Sequence, residues 1–200
     1  MRALLKRRCV MAVLLLLGVV ALTGCRTPPP ENSFPELTWA HKKPYFLAVS
    51  EIVVEQQYRT RSQLPNIEER APLPPVKAAA DWAADRLKAV GSGGRARFII
   101  LDGSILRREL ETKGGLTGLL TNDQSRQYDG RIAVELIVTD AQGNTTGRVW
   151  AEARHSRSIA ENATLNQRDR ILFRIVEQIM RNLDAELDKE IPRYLGPSLR

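Results

Sequence analysis

The sequence predicts an α+β fold: a two-layer sandwich in the order β-α-β-β-β-α, with a four-stranded, largely antiparallel sheet and two helices on one face. Three observations carry this. Residues 131–139 (RIAVELIVT) alternate with period two, and Ile132, Val134, Leu136 and Val138 share one face. Residues 140–144 (DAQGN) place a glycine where a hairpin needs positive φ, so the next strand returns antiparallel. Two segments carry the three-and-four spacing of amphipathic helices.

In chain order, residues 45–58 (YFLAVSEIVVEQQY) are rich in β-branched and aromatic side chains and read as the first strand. Leu47, Val49 and Val53 share a parity, while Ile52 and Val54 indicate a bulge or burial on both faces. The polar, Pro-marked stretch 59–75 shows no element of its own; its length makes it a contact surface or a wrap around the domain. Pro75 then opens a helix with the stripe Val76, Ala80, Ala83, Leu87 and Val90, closed by Gly91. The alanines on that stripe allow close approach to a sheet, and Trp82, off its centre, is expected to seal its edge.

Residues 96–108 (ARFIILDGSILRR) form the second strand, and the continuous FIIL indicates burial on both faces. After the hairpin, residues 145–159 return with a small inner face of Gly147, Val149, Ala151, Ala153 and His155. The last element is a long helix. Thr164 and Gln167 have capping-box spacing, and Leu172, Ile175, Val176, Ile179, Leu183 and Leu187 form its stripe. Pro192 is expected to end the helix by Ile191 and leave 193–200 as a frayed tail.

The N-terminus obeys a different logic. Arg2, Lys6, Arg7 and Arg8 precede an apolar run from Cys9 to Val20 and then small residues, the layout of a secretory signal. The run is shorter than the ~20 apolar residues of a membrane span. Leu22, Thr23, Gly24 and Cys25 resemble the lipobox of bacterial lipoproteins. That resemblance implies cleavage before Cys25, a diacylglycerol on its sulfur and N-acylation of its new amino group. It also divides the chain into a signal peptide (1–24), a lipidated Pro-rich tether (25–44), a single periplasmic α+β domain (45–192) and a tail (193–200). Arg26 follows Cys25 where an inner-membrane retention signal would carry Asp, so the implied destination is the outer membrane, periplasmic face.

Cysteine usage agrees. Cys9 lies in the segment to be removed, which leaves Cys25 without an intramolecular disulfide partner. Several acyl chains anchor stably where one alone is marginal. The formal charge of +7 also shrinks: losing four basic residues with the signal leaves 26 basic against 23 acidic, a balance of +3. Such a chain suits an anionic membrane surface without demanding one, and nucleic acid is not an expected partner of an exported chain with no basic-aromatic binding motif. Pro28, Pro29 and Pro30 favour extended polyproline II, holding the domain off the bilayer. Trp39, at the tether's end, is expected to pack on the domain edge.

No catalytic constellation is present: no HExxH, GxSxG or Walker loop, and no Cys-His pair in the mature chain. His155 reads as a polar strand residue, because no second His and no thiolate accompanies it. The glycines of GSGG (91–94) follow a helix instead of opening one, so they lack the geometry of a phosphate cradle. The chain is therefore expected to be non-enzymatic, with no cofactor and no metal. One loop, residues 111–123 (ETKGGLTGLLTND), carries Leu116, Leu119 and Leu120 among its glycines. Either these leucines fold back as a small lid or they dock into a partner protein or a lipid.

Segments spanning nearly the whole mature chain, RTPPPENSFPELTW, WAADRLKAVGSGGRARFII, TNDQSRQYDGRIAVELIV and NLDAELDKEI, resemble a group of proteobacterial lipoproteins that has no assigned activity. At the level of architecture the chain is similar to auxiliary lipoproteins of envelope lipid transport and to the lipoprotein plug of the lipopolysaccharide translocon. Those resemblances imply a non-enzymatic auxiliary or assembly factor working with an envelope protein complex. The alternative, a lipoprotein regulator of cell-wall synthesis, requires a long reach. About 19 residues of extended chain span at most roughly 65 Å, which is short for that task.

Overall fold

In the computed structural model, which describes residues 33–110 and 124–200, the alternation read at 131–139 belongs to a much longer strand. The strands are β1 (Tyr45–Leu47), β2 (Glu51–Gln56), β3 (Leu87–Ala89), β4 (Arg95–Asp102), β5 (Ile105–Glu109), β6 (Gln124–Thr139) and β7 (Thr145–Ala160). The helices are α1 (Pro75–Arg86) and α2 (Leu165–Leu195).

β6 organises the main sheet. It pairs antiparallel with β7 along its length, from Gln124 opposite Ala160 to Thr139 opposite Thr145. Its other edge is shared: β4 takes the C-terminal half and β5 the N-terminal half, both antiparallel. β2 completes the sheet beside β4, in parallel, as expected where a helix crosses between two strands. Five strands thus occupy four lanes, and the predicted α+β sandwich holds. The hairpin turn forms as its sequence demands, with Gly143 at φ +88°.

Both helices cover the sheet face that carries Phe98, Leu136, Val134 and Val149, all buried. Small residues set the helix height. A methyl group on Gly130 would overlap Ile175 of α2, and one on Gly147 would overlap Leu195. All six residues of the predicted α2 stripe are buried. Its cap is the predicted box: Thr164 Oγ1 accepts from the Gln167 N–H, and Gln167 Oε1 accepts from the Thr164 N–H.

Several boundaries differ from the sequence reading, each for a tertiary reason. The first strand divides into β1 and β2, and β1 pairs in parallel with β3 in a separate two-stranded sheet. That pairing draws Leu87 out of the helix into extended conformation (φ −109°, ψ 129°), so α1 stops at Arg86 and Val90 is exposed. The second strand breaks at Gly103-Ser104, where Gly103 lies against Val76 at the start of α1. Trp82 does not seal an edge. It is fully buried and stacked on Phe98 at 5.5 Å between ring centroids.

Nor does α2 end at Ile191. It runs through Pro192 to Leu195, and burial of Ile191 and Leu195 offsets the lost hydrogen bond and ring clash of a helical proline. Residues 193–200 are not a frayed tail: Leu199 bridges to Leu47, and the Arg200 N–H donates to the Phe46 carbonyl. The stretch 59–75, in which no element was expected, contains a 3-10 turn at Glu68–Arg70. It lies along β5 through Ile67 N–H to Ile105 O and Arg107 N–H to Pro65 O. Buried Glu68 pins it by accepting from the Tyr58 hydroxyl (2.7 Å) and the Arg61 N–H (2.9 Å).

Candidate functional site

The most buried charged cluster lies where the incoming chain meets both helices. α2 presents Asp184 and Asp188 one turn apart on one face, and α1 presents Arg86 from its last turn. Lys42 and Tyr45 arrive from the segment leading into β1. Asp184, 4% exposed, accepts from Trp82 Nε1 (2.8 Å) and from Lys42 Nζ, and lies 3.4 Å from Arg86 Nε. Asp188 accepts from Lys42 Nζ (2.9 Å), from the Tyr45 hydroxyl (2.5 Å) and from the Arg86 guanidinium. Arg86, 3% exposed, also donates to the Lys43 carbonyl and lies 4.7 Å over the Tyr45 ring.

Two cations thus meet two carboxylates, and the cluster is neutral. Hydrogen bonds to Asp184 and Asp188 hold the Lys42 ammonium above its ordinary range. Burial alone would raise the Asp188 carboxyl, but the Tyr45 hydroxyl and Lys42 outweigh it and leave it lowered. Burial, with the Asp188 bond, pushes the Tyr45 phenol upward. These shifts keep Lys42 and Asp188 charged and Tyr45 neutral at neutral pH. The cluster is therefore a clasp that ties residues 39–45 to both helices, with no free base or nucleophile. Two clefts flank it. One, of about 460 Å³, is lined by Lys43, Phe46, Asp188 and Arg200 among others; the second, of about 310 Å³, by Leu37, His41, Glu177 and Arg181 among others.

The clasp changes the reading of the tether's end. Trp39 is buried in the core, and its N–H donates to Asp85 at 2.7 Å. The Phe34 ring packs tilted against Phe173 of α2 with centroids 5.1 Å apart. The folded body therefore begins upstream of residue 45.

A third cleft, of about 280 Å³, lies between the end of β7 and the first turns of α2, lined by Arg157, Ser158, Gln167, Arg170, Ile171 and Arg174. Beside it, His155 is a half-buried strand residue whose Nε2 accepts from Arg157 Nε at 3.2 Å. Burial, and then the Arg157 charge, lower its pKa. Among the described residues no group of three or more His, Cys, Asp or Glu is placed to hold a metal ion.

Of the residues singled out in the sequence, Leu22, Thr23, Gly24 and Cys25 lie outside the described residues, as do Leu116, Leu119 and Leu120. Lys42, Arg86, Asp184 and Asp188 carried one faint signal. Asp184 and Asp188 directly follow stripe residues Leu183 and Leu187, so two like charges one turn apart border a buried face and require cations from elsewhere in the chain.

No family profile matches the chain, and no curated protein matches it. Among solved structures, the crystal structure of the rare lipoprotein B from Shewanella oneidensis overlaps with a TM-score of 0.35 and 12% identity, over 70% of this chain and 92% of that one. A minor lipoprotein from Acinetobacter baumannii overlaps with a TM-score of 0.28 and 17% identity, over 70% and 93%. Both overlaps are loose, and the functional reading rests on this chain's own residues.

Proposed function

We propose that the chain is a bacterial envelope lipoprotein. In this reading Cys25 carries the diacylglycerol and N-acyl groups, and the domain faces the periplasm from the outer membrane. It works without catalysis, as an auxiliary or assembly factor in lipid or lipopolysaccharide transport. The observation that carries the reading is the N-terminal pattern: a basic start, an apolar run too short to span, and Leu22-Thr23-Gly24-Cys25 followed by Arg26. No described helix is long and apolar enough to cross a membrane. In this reading the lipid on Cys25 is the attachment.

Two features of the body support binding over chemistry. The clasp is internally neutralised, and its groups hold the chain in place. On the sheet face away from the helices, Trp150 stands 54% exposed, while Ile99, Ala133 and Ile137 on the same face are buried. Ion pairs frame that face: Arg97–Glu55 (2.7 Å), Arg148–Glu135 (3.3 Å) and Arg131–Glu152 (2.7 Å). A mixed surface of this kind, with an aromatic anchor, suits recognition of a protein partner.

The test is depletion of the protein in growing cells, followed by pulse-labelling of phospholipid and lipopolysaccharide and measurement of their arrival in the outer membrane. Delayed arrival of either upholds the reading. Normal arrival with altered peptidoglycan crosslinking overturns it in favour of a cell-wall regulator.

A further inference from the structure

We infer that the cleft formed by Arg157, Arg170 and Arg174 binds the phosphate of an anionic phospholipid in the membrane that anchors Cys25, so that this end of the domain rests on the bilayer. The inference builds on the anchoring part of the proposed function.

Charge is the first argument. Arg170 and Arg174 are one turn apart on α2 and line, with Arg157 and Ser158 at the end of β7, a cleft of about 280 Å³. Among the described residues no carboxylate lines this cleft. Among the described residues Arg157 bonds only to His155, and Arg174 has no ion-pair or hydrogen-bond partner. Of the carboxylates on the adjoining strands, Asp129 pairs with Arg108 (2.7 Å), and Glu109 with Arg107 (2.9 Å) and Arg126 (3.3 Å). Converging guanidinium groups match the oxygens of a phosphate.

Chain length is the second argument. Phe34 is fixed on Phe173, which lies between Arg170 and Arg174 in sequence, so the tether leaves the body at the level of the cleft. Phe34 is nine chain steps from Cys25, with Pro28, Pro29 and Pro30 in between. At the polyproline rise those steps reach about 28 Å. The far end of α2, at Leu195, lies about 33 Å from Phe173 along the axis. Standing the domain on that end would lift Phe34 beyond the tether's reach, whereas standing it on the cleft end leaves the tether slack. The tether's exit from the body and the arginine-lined cleft thus coincide.

The experiment uses the full lipidated protein with a single introduced cysteine, since the Cys25 sulfur is blocked by its lipid. An environment-sensitive fluorophore is placed on Asn162→Cys, in the turn that joins β7 to α2, or on Gln142→Cys, in the hairpin at the opposite end of β7. Proteins are reconstituted in phosphatidylcholine vesicles, or in equimolar phosphatidylcholine and phosphatidylglycerol, with a headgroup spin-labelled lipid as quencher. The inference predicts strong quenching at 162, weak quenching at 142, and dependence of the former on phosphatidylglycerol. In Arg157→Gln/Arg174→Gln the ratio of docked to undocked protein should fall on the order of tenfold, with the melting temperature unchanged.

Quenching at 162 that ignores phosphatidylglycerol, or that survives in the double variant, overturns the inference. So does saturation of the 162 probe by inorganic phosphate alone in detergent, which assigns the cleft to a free anion. Loss of an acidic protein partner in the double variant without loss of quenching assigns it to a protein instead. Mass analysis of Cys25 keeps the anchoring reading separate. If Cys25 proves unmodified, co-sedimentation of the same full chain with phosphatidylglycerol vesicles still decides: binding lost in the double variant upholds the cleft, and binding retained overturns it.

Discussion

Replacing Asp184 with alanine removes the centre of the clasp. Asp184 is 4% exposed and serves Trp82 Nε1, Lys42 Nζ and Arg86 Nε together. Its loss leaves Arg86, itself 3% exposed, dependent on the more exposed Asp188, and leaves the Trp82 N–H without a partner in the core. Breaking a buried ion pair from one side costs about 3–5 kcal/mol, and an orphaned buried donor about 1–3 kcal/mol. The two overlap, because Lys42 and Arg86 can shift toward Asp188, so the combined cost is about 4 kcal/mol. For a body of this size that lowers the melting temperature by about 12 °C. Thermal unfolding followed by far-UV circular dichroism measures it. Asp184→Ala/Arg86→Met should recover part of the loss, since the uncompensated guanidinium goes with its partner. A melting temperature within about 2 °C of the parent, or a double variant as costly as the two single variants summed, would refute the clasp as an energetic unit.

Leu195→Ala tests the C-terminal segment: Leu195 is fully buried against Gly147, so its truncation should cost about 2–5 kcal/mol in chemical denaturation, whereas a frayed end would cost nothing. Acid should destabilise the fold through Glu68 and Asp188. Burial alone would raise both carboxyls, but hydrogen bonds outweigh it and their folded pKa values lie below the unfolded ones. Their contribution is therefore fully present above about pH 5 and is lost as pH falls through the folded values, so melting midpoints should be flat near neutrality and drop below about pH 4. Glu68→Gln should lower the plateau and flatten that drop; midpoints that rise on acidification would contradict the assignment.

The sheet was legible because its signals are local. Ile132 to Val138 alternate without interruption, Gly143 marks the turn, and β7 keeps a small-residue face opposite a helix stripe without a gap. What escaped was set by partners distant in sequence. Leu87 continues a helical pattern and leaves the helix only because Tyr45 pairs with it across 42 positions. Pro192 carries a strong stop signal that loses to burial of Ile191 and Leu195. Trp82 sits off the alanine stripe, and only the Phe98 ring and the Asp184 carboxylate explain its depth. The clasp joins Lys42, Arg86 and Asp184, residues from three separate segments that no spacing rule connects. The basic cleft was hidden for the same reason: Arg157 is one of several charges on a strand until α2 brings Arg170 and Arg174 to the same cleft.

The central claim, that this domain works from a lipid on Cys25, is tested most directly by the mass of the N-terminal peptide from protein extracted from bacterial membranes. The account predicts a mature chain that begins at Cys25 and carries diacylglycerol on sulfur and an acyl group on nitrogen, with the modification abolished and the precursor retained in Cys25→Ser. A chain that keeps residues 1–24, or a Cys25 recovered as a free thiol, would contradict it.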